Sequence, residues 1–360
     1  EYQRLNLRLA ALNGTMNALL GTLAGLGAAA VLGVGGLLVL RGGITIGAFL
    51  AFTLYLTNLT WPLIAFGWVI NLFQRGAASM GRLVELLDAK PSISDPARPR
   101  VLPSPHSGRK IEFRGVSYAY PLADGTAGRI VLRDISFTLK AGETLGLVGA
   151  TGCGKSTLLE LLPRLRDPVA GEILIDGVPI RDLPLAQLRA ELGYVPQEAL
   201  VFSDTIGANL AYGTTDETAY LWAAHLADLD ETIAGFREGY ATLLGERGVN
   251  LSGGQKQRAT IARALARKPG IVLLDDALSA VDTHTEARIL RSLRDALAGR
   301  TAIIASHRAS ALRDASWILV LDDGAVVEQG RHEELMKKRG RYWDLLRRQQ
   351  LEEGIEAAPS

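Results

Sequence analysis

One stretch, residues 149–157, restricts the possible folds of this chain more than any other feature. Its sequence, GATGCGKST, fits the pattern G-x-x-x-x-G-K-[ST] of a phosphate-binding loop. That pattern is informative only between a strand and a helix. Residues 143–148 are predicted to form a short buried strand, and residues 156–162 a helix that ends at Pro163. The sequence therefore predicts a strand–loop–helix unit, the alternative being a glycine-rich turn that matches by chance.

The residue types in this loop suit a nucleoside triphosphate. Glycines let backbone N–H groups turn toward phosphate oxygens, and the helix N-terminus attracts negative charge. Lys155 is expected to reach the β- and γ-phosphates, and the Ser156 hydroxyl to bind Mg²⁺. Cys153 is expected to be open to alkylation beside the nucleotide, or else to be an inert filler. The candidate nucleotide-binding residues of the loop are Gly149, Ala150, Thr151, Gly152, Cys153, Gly154, Lys155, Ser156 and Thr157.

Length and composition set further limits. The 360 residues predict two or three domains. Lys and Arg (39) nearly balance Asp and Glu (38), so no net charge points to nucleic acid. The single cysteine excludes an intrachain disulfide and fits a reducing compartment. Because the chain begins with Glu1, we expect it to be a fragment of a longer protein.

Two long apolar stretches dominate the N-terminal part. No Asp, Glu, Lys, Arg or His lies between Arg8 and Arg41, or between Arg41 and Arg75. Each stretch exceeds the roughly 20 apolar residues that cross a bilayer. We therefore predict two spans, at about 9–40 and 44–73; the alternative is a pair of buried helices in a soluble protein.

Basic residues flank both spans on the same side. Arg4 and Arg8 precede the first span, and Arg75 and Arg82 follow the second. The positive-inside rule places these ends in the cytoplasm and the short connection between the spans outside. Pro62, inside the second span, is expected to kink it or to mark a contact.

Composition also predicts the domain boundaries. Residues 1–90 comprise the spans and a cytoplasmic continuation of the second helix. Prolines crowd residues 91–109, which predicts a linker. Residues 110–350 form the nucleotide-binding domain, and residues 351–360 a tail.

Two further apolar strands end in polar side chains. Residues 270–274 lead into Asp275 and Asp276, and residues 301–305 lead into Ser306 and His307. Ligands bind at the carboxyl ends of buried parallel strands. Asp275 is expected to hold Mg²⁺, and Asp276 to act as a base or to orient water. His307 at such a strand end is more consistent with a γ-phosphate sensor than with an ordinary loop residue.

Three other positions are weaker candidates on their own. Tyr120 has an aromatic ring on which adenine can stack, although a strand tyrosine is usually core. Gln197 offers a carbonyl to a cation and an amide to water, although a loop glutamine is usually surface. Residues 251–258, LSGGQKQR, place Ser252 as the N-cap of a helix and two glycines at its positive end. This second anion site has no lysine of its own, which suggests a site shared between two copies.

Assembled, these motifs resemble the ATP-binding cassette (ABC) transporters of the exporter type, over nearly the whole chain. The resemblance implies a transmembrane helical segment followed by an α/β P-loop ATPase with an antiparallel β subdomain and a helical subdomain. It implies ATP and Mg²⁺ as ligands. Tyr120 matches the adenine-stacking aromatic, Gln197 the glutamine loop and Asp275 the magnesium aspartate. The resemblance further assigns the signature to Ser252, Gly253, Gly254 and Gln255, the loop between strands to residues 279–282 with Asp282, and the switch histidine to His307.

The chain departs from the family pattern in two respects. Exporters of this type have six membrane helices per subunit, whereas this chain has two, which resemble the last two. The catalytic glutamate position holds Asp276. This resembles the subunit with the impaired site in heterodimeric, TAP-like bacterial multidrug exporters. The resemblance implies a second half-transporter subunit as partner, a bacterial inner membrane with the ATPase in the cytoplasm, and a drug, lipid or peptide as transported substrate.

Two other functions remain open from the residues. One is a membrane-anchored regulator that binds ATP and transports nothing. The other is a soluble-type ABC ATPase that acts on nucleic acid, which the two apolar spans and the balanced charge oppose. We therefore expect no nucleic-acid partner.

Overall fold

The computed structural model describes residues 2–103, 108–122, 126–248, 250–279, 283–308 and 312–356. The chain divides into two compact units, Glu1–Lys90 and Pro91–Ser360. Each unit is described by itself.

The first unit is a pair of long helices, α1 (Tyr2–Leu40) and α2 (Ile46–Leu87). Thr45 caps α2, because its side chain accepts a hydrogen bond from the Ala48 N–H. Both helices are long and apolar enough to cross a membrane, by length and composition only. Helix α2 is continuous across Pro62. It extends beyond the predicted span to Leu87, as expected for the predicted continuation of this helix.

The second unit contains mixed sheets and helices. Its strands are β1 (Ile111–Pro121), β2 (Ala127–Leu139), β3 (Thr144–Gly149), β4 (Ala170–Ile175), β5 (Val178–Pro179), β6 (Leu192–Val195), β7 (Ile271–Asp275), β8 (Thr301–Ser306), β9 (Trp317–Asp322) and β10 (Ala325–Gly330). Its helices are α3 (Lys155–Leu161), α4 (Leu185–Ala190), α5 (Ile206–Leu210), α6 (Glu217–Leu226), α7 (Asp230–Ala234), α8 (Gly253–Ala266), α9 (Thr283–Leu297), α10 (His332–Lys338) and α11 (Arg341–Glu356).

The strands form an antiparallel sheet and a mostly parallel sheet. The antiparallel sheet has the order β2-β1-β4-β5. The other has the order β10-β9-β3-β8-β7-β6, with only the β9–β10 pair antiparallel. Strands β3, β7 and β8 are fully or nearly fully buried, which explains their unbroken apolar sequences.

Three apolar cores lie in the described part of this unit. The first joins both sheets and α3, and includes Leu145, Leu158 and Ile173. The second joins α5, α6 and α8 to β7, and includes Leu210 and Ile261. The third joins β9 to α10 and α11. The predicted architecture, a helical segment followed by an α/β domain with an antiparallel β subdomain and a helical subdomain, is confirmed.

The proline-rich segment belongs to this second unit and contacts other residues of it. Leu102 is buried, and the Arg100 N–H donates to the Asp182 carbonyl. Arg109 is 1% exposed, and its guanidinium donates to Glu191, Asp176 and the Pro103 carbonyl. The residues of the predicted linker are thus anchored at their carboxyl end by a buried cation.

Candidate functional site

The parallel sheet brings the predicted motifs to one edge. Val148 of β3 pairs with Ser306 of β8, and Asp275 of β7 pairs with Ala305 of the same strand. The carboxyl ends of β3, β8 and β7 therefore lie side by side. The phosphate loop, Asp275 and His307 follow these ends, so the register alone makes them neighbours.

The phosphate loop has the backbone that its glycines permit. Gly152 and Gly154 have φ of 82° and 106°, in the left-handed region that favours glycine. At Gly149 a Cβ would overlap the Leu321 carbonyl oxygen of β9, and at Gly154 it would lie 2.8 Å from Leu132 Cδ2. The loop is thus folded tightly between β9 and β2, with α3 beginning directly after it.

Lys155 and Cys153 face the inside of this loop. The Lys155 ammonium donates to the carbonyls of Gly149 (2.8 Å) and Ala150 (3.1 Å), so it is held at the loop itself. Cys153 is 6% exposed, and burial raises the pKa of its thiol. Of the two interpretations of Cys153, this geometry favours the inert filler, because alkylation requires an accessible thiolate.

The end of β7 has oxygen ligands that suit a magnesium site. Asp275 is buried, and burial raises the pKa of its carboxyl, while a hydrogen bond from the Ser156 hydroxyl opposes the shift. Within the described ranges, no group of three or more His, Cys, Asp or Glu side chains could hold a metal ion. A carboxylate beside a hydroxyl fits Mg²⁺, which prefers few protein oxygens together with those of phosphates.

Asp276 and His307 are in direct contact. His307 Nδ1 lies 2.8 and 2.9 Å from the two carboxylate oxygens of Asp276. The Asp276 backbone adopts a φ of 49° and its N–H donates to the Ala305 carbonyl, which turns the chain out of β7 toward the histidine. The structure thus joins the predicted base and the predicted sensor in one pair.

Tyr120 lies near the carboxyl end of β1 and is 38% exposed. Its hydroxyl is 3.0 Å from Thr157 Oγ1, which places the ring beside the phosphate loop. Arg166, which the sequence did not single out, lies over the ring with its Cζ 4.6 Å from the centroid. No sequence pattern indicates this contact, because β1 and the segment after α3 meet only in the folded chain.

The signature forms the start of α8. The Ser252 hydroxyl accepts from the Gln255 N–H (3.3 Å), and the Gln255 side chain accepts from the Ser252 N–H (2.9 Å). This is the reciprocal capping box, which agrees with the predicted N-cap. Gly253 and Gly254 form the first turn of the helix, with Gly253 exposed. The Gln255 side chain is thereby committed to the cap.

The signature and the phosphate loop belong to different parts of the unit. Helix α8 packs with α5 and α6 in the second core, whereas the loop is part of the first core. The structure therefore does not bring Ser252 and Lys155 into one contact cluster.

Two predicted positions, Gln197 and Asp282, remain. Gln197 is exposed, two residues after β6, the strand that pairs with β7. Asp282 lies outside the described residues. Ser279, three residues earlier in the sequence, accepts a hydrogen bond of 3.0 Å from the buried Gln257 of α8. This bond connects Ser279 to the signature helix.

Arg263 of α8 is a second connection that the sequence did not reveal. Its guanidinium donates to the carbonyls of Leu200 (2.7 Å) and Asn209 (2.9 Å) and to the Asn209 side chain. It also lies over the rings of Phe202 and Tyr212. A lone arginine on an amphipathic helix gives no signal of such a role.

Several known proteins are similar to this chain in sequence or in fold. Residues 132–279 match a family model described as ABC transporter. The chain is 43% identical over 322 residues to the probable multidrug resistance ABC transporter ATP-binding/permease protein YheI of Bacillus subtilis (strain 168), covering 89% of this chain and 54% of that protein. It is 39% identical over 347 residues to the ATP-dependent lipid A-core flippase of Syntrophus aciditrophicus (strain SB), covering 96% and 56%.

A solved structure, of a bacterial Atm1-family ABC exporter with ATP bound, is also similar. It superimposes with a TM-score of 0.71 at 39% identity, over 85% of this chain and 53% of that one. The chain therefore spans about half the length of the relatives that it matches.

Proposed function

Since this chain belongs to the ABC transporter family and has the exporter fold, we propose that it is the ATP-binding and ATP-hydrolysing subunit of a membrane exporter. The transported substrate is a drug, a lipid or a peptide. The similar proteins include one named for multidrug resistance and one named as a lipid A-core flippase, which supports the first two of these classes. The chain acts in the inner membrane of a bacterium, with its ATPase domain in the cytoplasm and its helices α1 and α2 in the bilayer.

One observation carries this proposal more than any other. The phosphate loop and Asp275 lie at neighbouring strand ends, and the Ser156 hydroxyl acts to lower the pKa of the buried Asp275 carboxyl. Lys155 is held at the same loop. A cation, a hydroxyl and a buried carboxylate at one sheet edge suit the phosphates of Mg²⁺–ATP.

The separation of the signature from this edge suggests how the sites are completed. In the proposal, Ser252 and Gly254 contact the γ-phosphate bound to the phosphate loop of a partner subunit. Two ATPase domains then close over two nucleotides, because ATP binds the closed pair better than the open one. Hydrolysis removes the γ-phosphate contacts and lets the pair reopen, which drives the membrane helices between their two states.

We further propose that the site of this chain hydrolyses ATP poorly. Asp276 is one methylene shorter than the glutamate of the family pattern, and a displacement near 1 Å can lower a rate by about 10²-fold. Both carboxylate oxygens of Asp276 lie within hydrogen-bond distance of His307 Nδ1, which holds the shorter carboxylate at the histidine. The partner is then a different half-transporter with a competent glutamate, and the complex is a heterodimer.

Transport and hydrolysis can be tested on the complex purified from its native membrane. In vesicles, we expect substrate-stimulated ATPase activity and ATP-dependent uptake, both greatly reduced by Lys155→Ala and unchanged by Lys110→Ala at an exposed lysine. ATP binding without any uptake would identify the regulator instead. Salt-dependent binding to nucleic acid would support the remaining alternative.

The asymmetry has its own test in the same complex. Asp276→Asn should leave steady-state turnover almost unchanged, whereas Glu→Gln at the equivalent position of the partner should abolish it. If Asp276→Asn alone stops turnover, Asp276 is a working catalytic carboxylate and the asymmetry is refuted.

A further inference from the structure

The ring of Tyr120 is held on three sides. Its hydroxyl is bonded to Thr157 at the start of α3, and Tyr118 meets it edge-on with centroids 5.1 Å apart. The Arg166 guanidinium covers one face at 4.6 Å. The tyrosine is still 38% exposed, so part of this residue remains accessible to a ligand.

Arg166 is itself fixed in place. Its Nε donates to Glu160 of α3 at 2.7 Å, and its Nη1 lies 3.5 Å from the Tyr118 hydroxyl. The arginine therefore connects the phosphate-loop helix to the aromatic side chains at the end of β1.

We propose that Arg166 is a positioning residue for the nucleobase, which holds and polarises the Tyr120 ring so that a purine stacks on its opposite face. The proposal rests on the proposed function, because it requires that ATP occupy residues 149–157. It adds a side chain to the nucleotide site that acts on the base and not on the phosphates.

Two physical effects support this role. A guanidinium over one face draws π-electron density toward itself, which reduces the repulsion between the opposite face and the π-system of a stacked base. A ring that is already held by Arg166 and Thr157 also loses less freedom when the ligand binds. Both effects require an aromatic ligand and are absent for a bare polyphosphate.

The test measures the dissociation constants of Mg²⁺–ATP and of Mg²⁺–tripolyphosphate with the full chain in detergent. Arg166→Ala should weaken ATP binding about threefold to tenfold and leave tripolyphosphate binding unchanged. Arg114→Ala is the matched control, because Arg114 is also an ion-paired, partly exposed arginine, and it has no cation–π contact with a ring of the described residues. It should change neither constant. In a Tyr120→Leu background, Arg166→Ala should have no further effect on ATP.

Each other outcome overturns the proposal. Equal losses for both ligands would mean that Arg166 acts on the phosphates. Tighter ATP binding would mean that Arg166 covers the face that the base needs, and an unchanged ATP constant would mean that it has no role. Failure of the proposed function would give a different result: Lys155→Ala would then leave the binding of both Mg²⁺–ATP and Mg²⁺–tripolyphosphate unaltered.

Discussion

Removal of the buried cation Arg109 should destabilise the second unit strongly. Its guanidinium contacts Glu191 through two nitrogens (3.1 and 2.9 Å) and Asp176 through a third (2.9 Å). In Arg109→Met both carboxylates lose their cation. Breaking a buried pair costs about 3–5 kcal/mol. The carboxylate side chains keep 17% and 21% of their exposure, so the low end, about 3 kcal/mol, is expected.

This loss is measurable by calorimetry of the detergent-solubilised chain. At about 2–4 °C per kcal/mol, the transition of the second unit should fall by roughly 6 °C or more. Arg114→Met is the matched control, because Arg114 also pairs with two carboxylates but is 53% exposed. It should shift the transition much less than Arg109→Met does, because exposed ion pairs contribute little to stability.

A second comparison separates lost pairing from lost packing. Replacing Asp176 by Asn and Glu191 by Gln in the Arg109→Met chain removes the uncompensated charges and should recover part of the loss. Equal shifts for Arg109→Met and Arg114→Met, or no recovery in the triple variant, would refute the electrostatic reasoning.

Three further predictions follow from individual contacts. Cys153 should react with N-ethylmaleimide at least about tenfold more slowly in the native chain than in urea, since it is buried and its thiol pKa is raised; mass spectrometry showing equal rates would contradict this. Gly324→Ala should destabilise the second unit more than Gly177→Ala, as read by its melting temperature. Both glycines have φ of 78°, but only at Gly324 would a Cβ overlap the Val131 carbonyl oxygen. Finally, because its pKa is raised, the carboxyl of Asp275 takes up its proton at a higher pH than an ordinary aspartate. As the pH is lowered, the affinity for Mg²⁺–ATP should therefore begin to fall at a pH above the ordinary pKa of an aspartate. Asp275→Asn should remove this pH dependence.

Local patterns predicted the elements that carry the motifs. The strand before the phosphate loop, the helix after it and the Ser252 cap all appear, because each depends on neighbouring residues. The apolar run into Asp275 was likewise predicted as a buried strand, which the structure contains as β7. Sequence periodicity and capping chemistry are sufficient for such features.

Contacts between distant segments were not predictable in the same way. The pairing of Asp276 with His307 depends on the register of β7 against β8, and that of Arg166 with Tyr120 on the packing of α3 against the end of β1. Arg109 looked like an ordinary residue of a proline-rich linker. Its burial depends on two carboxylates from other elements, which no local pattern reveals.

The Arg263 contacts have a mechanical consequence. This one side chain on the signature helix is bonded to the backbone at Leu200, three residues beyond Gln197, and at Asn209 of α5. Hydrogen bonds from a charged donor contribute about 1.5–3 kcal/mol each, so breaking them to let the loop slide past α8 is unfavourable. We therefore expect a displacement of the loop after Gln197 to move α8, and with it the signature at the first turn of this helix.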